Sequence, residues 1–198
     1  DVLENDGKAA VKVEALIGSL KDVSDGFAVI MGTGIGGGYV KDHKVVKGHN
    51  FSCGEVSLLA IDKDAGVFGK MWANVSSTGS IVGKYMKLKE LETCNGHIFM
   101  DAVENGDEDA INILKDACKE TAKQIFNIQT LLDVERFVIG GGISANPTYF
   151  KYVKDAFDEW FEPTWIPGFP VHKPELEVCK YRNDANLLGA VATLIDQQ

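Results

Sequence analysis

The 198-residue sequence predicts an α/β fold, and three observations carry that prediction. Short apolar runs of strand length alternate with long helical stretches. Two of those runs, residues 27–31 and 136–139, lead straight into glycine clusters at 32–38 and 140–142. The composition, 45% hydrophobic and 25% charged, is that of an ordinary globular chain long enough to bury a sizeable core.

Residues 8–19 predict a helix, because Ala9, Ala10, Val13, Leu16 and Ile17 recur at three-and-four spacing. Asp6 stands where it would cap that helix, and Gly18 where it would end it. The unbroken apolar run at 27–31 is expected of a strand buried on both faces. After a Gly32-Thr33-Gly34 turn comes a return strand, and Tyr39-Val40, a polar turn at 41–44 and Val45-Val46 predict a further hairpin. Residues 77–91 and 107–132 predict two helices. The second carries a stripe of Ile111, Leu114, Ala117, Cys118, Ile125, Ile128 and Leu132. A short buried strand is expected at 136–139. Asn146-Pro147 then opens a helix with Pro147 at its first position and Tyr149, Val153, Phe157 and Trp160 or Phe161 facing inward. The proline-rich stretch 163–174 reads as an irregular connection, followed by a strand at 176–179 and a last helix at 185–195.

Charge and cysteine usage narrow the function classes. The net charge is −9, with 29 acidic against 20 basic residues, and the densest basic cluster (Lys84, Lys87, Lys89) is small. Nucleic acid is not an expected partner of this segment, because phosphate binding needs several Lys or Arg on one face. No apolar run is long enough to span a bilayer and no secretory pattern opens the chain, so no membrane association is expected. Cys53, Cys94, Cys118 and Cys179 lie far apart without a Cys-x-x-Cys pair. Free thiols in a reducing cytoplasm are expected, with no metal among the site residues. The first residue is Asp1, so a chain processed or cut from something longer is expected.

Gly32-Thr33-Gly34-Ile35-Gly36-Gly37 matches the spacing of the Gly-x-Gly-x-x-Gly dinucleotide fingerprint, but that fingerprint must open a helix. Here Gly38-Tyr39-Val40 and a hairpin turn follow, and consecutive glycines start helices poorly. No Lys-Ser/Thr follows either, which excludes the P-loop type. Two readings of the turn remain. It bares backbone N–H groups to phosphate oxygens, or it is a glycine-rich hairpin whose residues need positive φ. A second glycine loop at the end of another buried strand favours the first reading, since ligands of open α/β sheets meet the backbone at such strand ends.

Glu4-Asn5-Asp6-Gly7-Lys8-Ala9-Ala10, Met31 through Gly38, and Lys47-Gly48 followed by Gly54-Glu55 resemble the ROK family in order and spacing. Val138-Ile139-Gly140-Gly141-Gly142-Ile143-Ser144 and Asn186-Leu187-Leu188-Gly189-Ala190 are similar to that family's closing motifs. The resemblance implies an actin-like ATPase (ribonuclease H-like) fold and a kinase that moves the γ-phosphate of ATP, with Mg²⁺, to a sugar hydroxyl. Residues 1–20 would be the domain junction and first helix, 21–184 the larger carboxyl-terminal domain, and 185–198 the closing helix. By the same resemblance, Asp6 would be the general base and Asn5 and Glu55 would bind the sugar. Gly32, Thr33 and Gly34 would cradle the transferring phosphate, and Gly141 and Gly142 would lie near the nucleoside. From local sequence, Asp6 also reads as a helix cap and Glu55 as a solvated loop acid.

The family pattern is broken in three places. The opening hairpin that holds ATP phosphates and Mg²⁺ is absent, so these 198 residues alone are expected to bind ATP poorly and transfer little phosphate. Leu58 stands where most members carry a sugar- and zinc-binding histidine, and the cysteine cluster is missing too, so a structural zinc is not expected. A second sugar-binding glutamate would fall near Trp72. With fewer polar contacts the pocket is expected to separate hydroxyl epimers less well. The expectation is a cytoplasmic hexose or N-acetylhexosamine kinase, dimeric when whole. The alternatives are a ROK-type sugar-sensing repressor and a sugar-binding relative that has lost catalysis.

Overall fold

The computed structural model describes residues 6–62 and 70–181, with Asp6, Thr164 and Trp165 described by backbone alone. The predicted closing helix and Asn5 lie outside the described residues. Helix α1 (Asp6–Leu16) leads to strands β1 (Gly26–Met31), β2 (Ile35–Lys41) and β3 (Lys44–Val45). Helices α2 (Ala73–Ser76), α3 (Thr78–Leu88), α4 (Gly96–Glu104) and α5 (Glu108–Leu132) follow, then β4 (Arg136–Gly140), α6 (Pro147–Trp160) and β5 (Glu175–Val178).

Among the described residues the strands form one sheet in the order β3-β2-β1-β4-β5. The β1–β2 and β2–β3 pairs are antiparallel, while β4 and β5 run parallel to β1. Helices cover both faces, which explains the unbroken apolar run in β1. Phe27, Val29, Met31, Phe137 and Ile139 face the large helical layer, whereas Ala28 and Val138 face α1 with Val11, Ala15 and Leu20. The in-register pair Phe27 and Phe137 brings its rings to 5.7 Å.

Several elements depart from the sequence expectation. Asp6 is the first helical residue of α1 rather than its cap. Leu16 and Ile17, expected on the inner face, are about half exposed, because the helix ends at Leu16 and Val11 and Ala15 fill the interface instead. The helix expected at 77–91 is α3, with Ser77 as its cap accepting the Ser80 N–H. At the end of α6, Phe161 takes the buried position and Trp160 is partly exposed. Helices α2 and α4 were not expected. Asn95-Gly96 reads locally as a turn, yet the Asn95 side chain caps α4 by accepting the N–H groups of His97 and Ile98. The cysteines are free as expected: Cys118 and Cys179 are buried, and Cys53 and Cys94 partly so. Burial pushes both buried thiols well above the ordinary range, which leaves them inert as nucleophiles. No helix among the described residues is long and apolar enough to cross a membrane.

Glu14 was not singled out by pattern, yet it ties α1 to the far edge of the sheet. Its side chain is fully buried. The carboxylate accepts the backbone N–H groups of Ser19 at 2.8 Å, Lys180 at 3.1 Å and Tyr181 at 2.9 Å. Gly18 has no side chain for the same reason, since a Cβ there would stand 2.2 Å from the Glu14 carboxylate oxygen. Glu14→Ala leaves three donors without their acceptor and is expected to lower the unfolding free energy by about 2–4 kcal/mol, read from urea denaturation.

Candidate functional site

The parallel pairing of β1 with β4 sets Ile30 beside Gly140, so both glycine loops leave the same end of the sheet side by side. Gly141 has φ 91° and packs directly on β1, where a Cβ would stand 2.2 Å from the Met31 carbonyl oxygen. In the first loop none of the glycines has a positive φ, which overturns the reading that this turn needs left-handed backbone. Two different reasons replace it. Gly37 and Gly38 allow close packing, since added Cβ atoms would stand 2.9 Å from the Gly54 carbonyl and 2.8 Å from Val11. A Cβ at Gly34, by contrast, would meet no atom of the described residues within 4 Å, so nothing among them requires glycine there.

The amides of this turn are not equivalent. Gly32 N–H donates to the Gly34 carbonyl at 3.0 Å and is committed to the turn itself. The N–H groups of Thr33 and Gly34 have no partner among the described residues, and both residues are exposed. Helix α3 fixes the loop from behind: Thr78 N–H donates to the Gly32 carbonyl at 2.9 Å and Thr78 Oγ1 to the Met31 carbonyl at 3.2 Å. Gly79 completes that contact, because a Cβ there would lie 2.7 Å from the Thr33 carbonyl.

A cavity of about 280 Å³ opens between Gly32, Thr33, Thr78, Gly79, Asn95, Gly96 and Gly142. It shares Thr78, Gly96, Gly142 and Ile143 with a second cavity of about 520 Å³ that also reaches His97, Asp101 and Asn146. Together they make one elongated cleft. The N-termini of α3 and α4 open onto the smaller part, so both helix dipoles present positive ends to it. Among the described residues no acidic side chain lines that part. Thr78, Gly79, Asn95 and Gly96 were missed from sequence; the signals that could have found them are Ser77-Thr78-Gly79-Ser80 and Asn95-Gly96, both of which fit helix starts. A larger groove of about 670 Å³ lies elsewhere, lined by Asp116, Lys119, Glu120 and Lys123 without either glycine loop.

The other expected site residues cluster around β2. The head of α1 rests on the start of that strand, where a Cβ at Gly36 would stand 3.5 Å from Gly7 Cα. The backbone of Asp6 is therefore close to the Gly32–Gly34 turn, though its side chain lies outside the described set. The Glu55 loop packs on β2 as well: Gly54, with φ 86°, sits where a Cβ would be 2.7 Å from Gly38 Cα. Glu55 is half-buried and donates its N–H to the Ser52 carbonyl at 3.2 Å. Leu58, in place of the expected histidine, is exposed. Trp72, near the position of the second glutamate, is fully buried and its indole donates to Thr121 Oγ1 at 3.4 Å, so it belongs to the core and faces no substrate. Among the described residues no group of three or more His, Cys, Asp or Glu side chains could hold a metal.

A mixed sheet of this order, with helices on both faces and two glycine loops at the ends of neighbouring parallel strands, is the actin-like ATPase fold. The ROK family model matches residues 2–197, and the chain belongs to that family. A β-glucoside kinase of Listeria monocytogenes is 26% identical over 99% of this chain, which spans 65% of that relative's length. A ROK family glucokinase of Streptomyces griseus, solved with glucose and AMPPNP, superposes with a TM-score of 0.82 at 22% identity, over 100% of this chain and 68% of that one. A ROK family transcriptional regulator superposes with a TM-score of 0.80 at 21% identity, over 98% of this chain and 50% of that one.

Proposed function

We propose that the protein is an ATP-dependent sugar kinase acting on a hexose or N-acetylhexosamine, for which these residues supply the larger domain. The observation that carries this reading is the convergence of Gly32 and Thr33, the ends of α3 and α4, and Gly142 on one cleft, with Gly7 of α1 against Gly36 of the strand that follows the turn. The names of the relatives support it, since a β-glucoside kinase and a glucokinase share the chain's sequence or fold.

Phosphoryl transfer asks mainly for alignment and charge neutralisation. The amides of Thr33 and Gly34 hold the transferring phosphate, and the positive ends of α3 and α4 offset its charge. The longer cavity, floored by Gly142 and Ile143, takes the nucleoside. ATP, when bound, supplies the transferable group. Asp6 accepts the proton of the sugar hydroxyl, while Asn5 and Glu55 hold the acceptor in line. Among the described residues the cleft lining offers a single carboxylate, Asp101 in its longer part, so Mg²⁺ would be held mainly by the phosphates and by residues outside that lining. The complete protein is read as a cytoplasmic dimer.

One observation favours a second reading. With Leu58 exposed and Trp72 buried, two polar sugar contacts that the family resemblance implies are replaced, which favours a sugar-binding relative without turnover. A coupled ADP-release assay of the full-length protein across hexoses and N-acetylhexosamines separates the two. ADP release on at least one sugar is the expected result. Sugar-dependent thermal stabilisation with no ADP release from any sugar would replace the kinase by the sensor.

A further inference from the structure

Four polar side chains line the longer part of the cleft among the described residues, and two of them are committed to the fold. The Thr78 hydroxyl donates to the Met31 carbonyl at 3.2 Å. The Asn146 side chain donates to Glu104 at 3.0 Å and accepts the Tyr149 N–H at 3.1 Å, so both ends of its amide are occupied. His97 and Asp101 remain, four residues apart and therefore on one face of α4. The backbone carbonyl of Asp101 is taken by Asn105, but no described residue bonds its carboxylate or the His97 ring.

The two parts of the cleft thus differ in sign. The smaller part has the N-termini of α3 and α4, the unpartnered Thr33 N–H and, among the described residues, no acid. The longer part has the Asp101 carboxylate. A phosphoryl donor with its charge gathered at one end and hydroxyls at the other matches that order. A chain of phosphates does not, because its far anions would face a carboxylate, and like charges at close range repel. An ionised carboxylate only accepts hydrogen bonds, and its two oxygens suit the two neighbouring hydroxyls of a ribose. Dinucleotide-binding folds use an acid on the ribose for the same reason.

We propose that Asp101 is the residue by which the cleft selects a nucleoside triphosphate over inorganic polyphosphate, its carboxylate accepting the ribose hydroxyls. The inference rests on the reading of the longer cavity as the nucleoside's place, and adds what holds the nucleoside there and what is turned away. His97 does not oppose a polyanion in either protonation state, which leaves the discrimination to Asp101. Selection of this kind acts through a repulsive contact to the wrong donor as well as an attractive one to the right donor.

Isothermal titration of the full-length protein in the presence of Mg²⁺ tests this. The ligands are ATP, its analogue lacking both ribose hydroxyls, and inorganic tripolyphosphate, each titrated into the native protein, Asp101→Asn and Asp101→Ala. In the native protein ATP is expected to bind about tenfold more tightly than the analogue, as the loss of hydrogen bonds to a charged group implies. That ratio is expected to fall toward one in Asp101→Ala, while tripolyphosphate binds more tightly to both variants than to the native protein. Asp101 is exposed and its carboxylate bonds no described residue, so circular dichroism and Tm of the variants should match the native protein. A ratio near one in the native protein, a ratio that survives Asp101→Ala, or a tripolyphosphate affinity that neither variant raises overturns the role of Asp101, while ATP binding still upholds the nucleotide cleft. Failure of all the ligands to bind the native protein overturns the nucleotide reading of the cleft, and the inference with it.

Discussion

Asp6→Asn in the full-length protein is expected to reduce kcat by roughly 10²–10⁴-fold, with KM for the sugar and the Tm changed little. The substitution keeps the size of the side chain and removes its basicity. Asp6 is the first helical residue of α1, where the helix dipole favours a carboxylate and hence an available base. The next residue, Gly7, lies against Gly36, which brings this part of the chain alongside the strand that leaves the Gly32–Gly34 turn. If its role were merely to start the helix, asparagine would serve nearly as well and turnover would persist. The measurement is steady-state ADP release at saturating sugar. Activity within a factor of a few of the native protein would place the base elsewhere and remove the main support for the phosphotransfer reading.

What the sequence disclosed, and what it withheld, follows from the range of the interactions involved. Strand β1 was legible because burial on both faces demands an unbroken apolar run, and α6 because Asn146-Pro147 is a strong local start. The second glycine loop was legible for a related reason: a buried strand ending in three glycines marks a place where backbone must be approached closely. At Gly141 the close neighbour the fold supplies is Met31 of β1, where a ligand was expected from the sequence. The function of Gly37 and Gly38 was not legible, because it depends on Gly54 and Val11, which only the fold brings near. Glu14 was hidden likewise. A single acid in an apolar helix looks like a solvated position until the backbone of Lys180 and Tyr181, some 166 residues away, arrives to be bonded. Thr78 and Asn95 were not legible, because their convergence on one cavity is a property of helix packing and not of their neighbours in sequence.

Gly141→Ala is expected to have the largest effect on stability, a loss of about 3–5 kcal/mol measured by urea denaturation. Two costs add. The φ of 91° is unfavourable for any residue with a Cβ, by about 1–3 kcal/mol. The new methyl group would also stand 2.2 Å from the carbonyl oxygen and 2.6 Å from the carbonyl carbon of Met31, overpacking worth about a further 1–3 kcal/mol. Neither partner can yield cheaply. Met31 is held by its antiparallel pairing with Ile35 and by the hydroxyl of Thr78, and Gly140 by its parallel pairing with Ile30. A loss of this size is a large share of the ~5–15 kcal/mol that keeps a domain folded. Gly34→Ala is the informative contrast. Its φ is not left-handed and its Cβ meets no atom of the described residues within 4 Å, so stability should change by less than about 1 kcal/mol. Nucleotide affinity should fall nonetheless, because the methyl group projects where the phosphate is read to lie. A Gly34→Ala variant as unstable as Gly141→Ala, or one binding nucleotide as tightly as the native protein, would mean that the first loop's open glycine serves the fold and not a ligand.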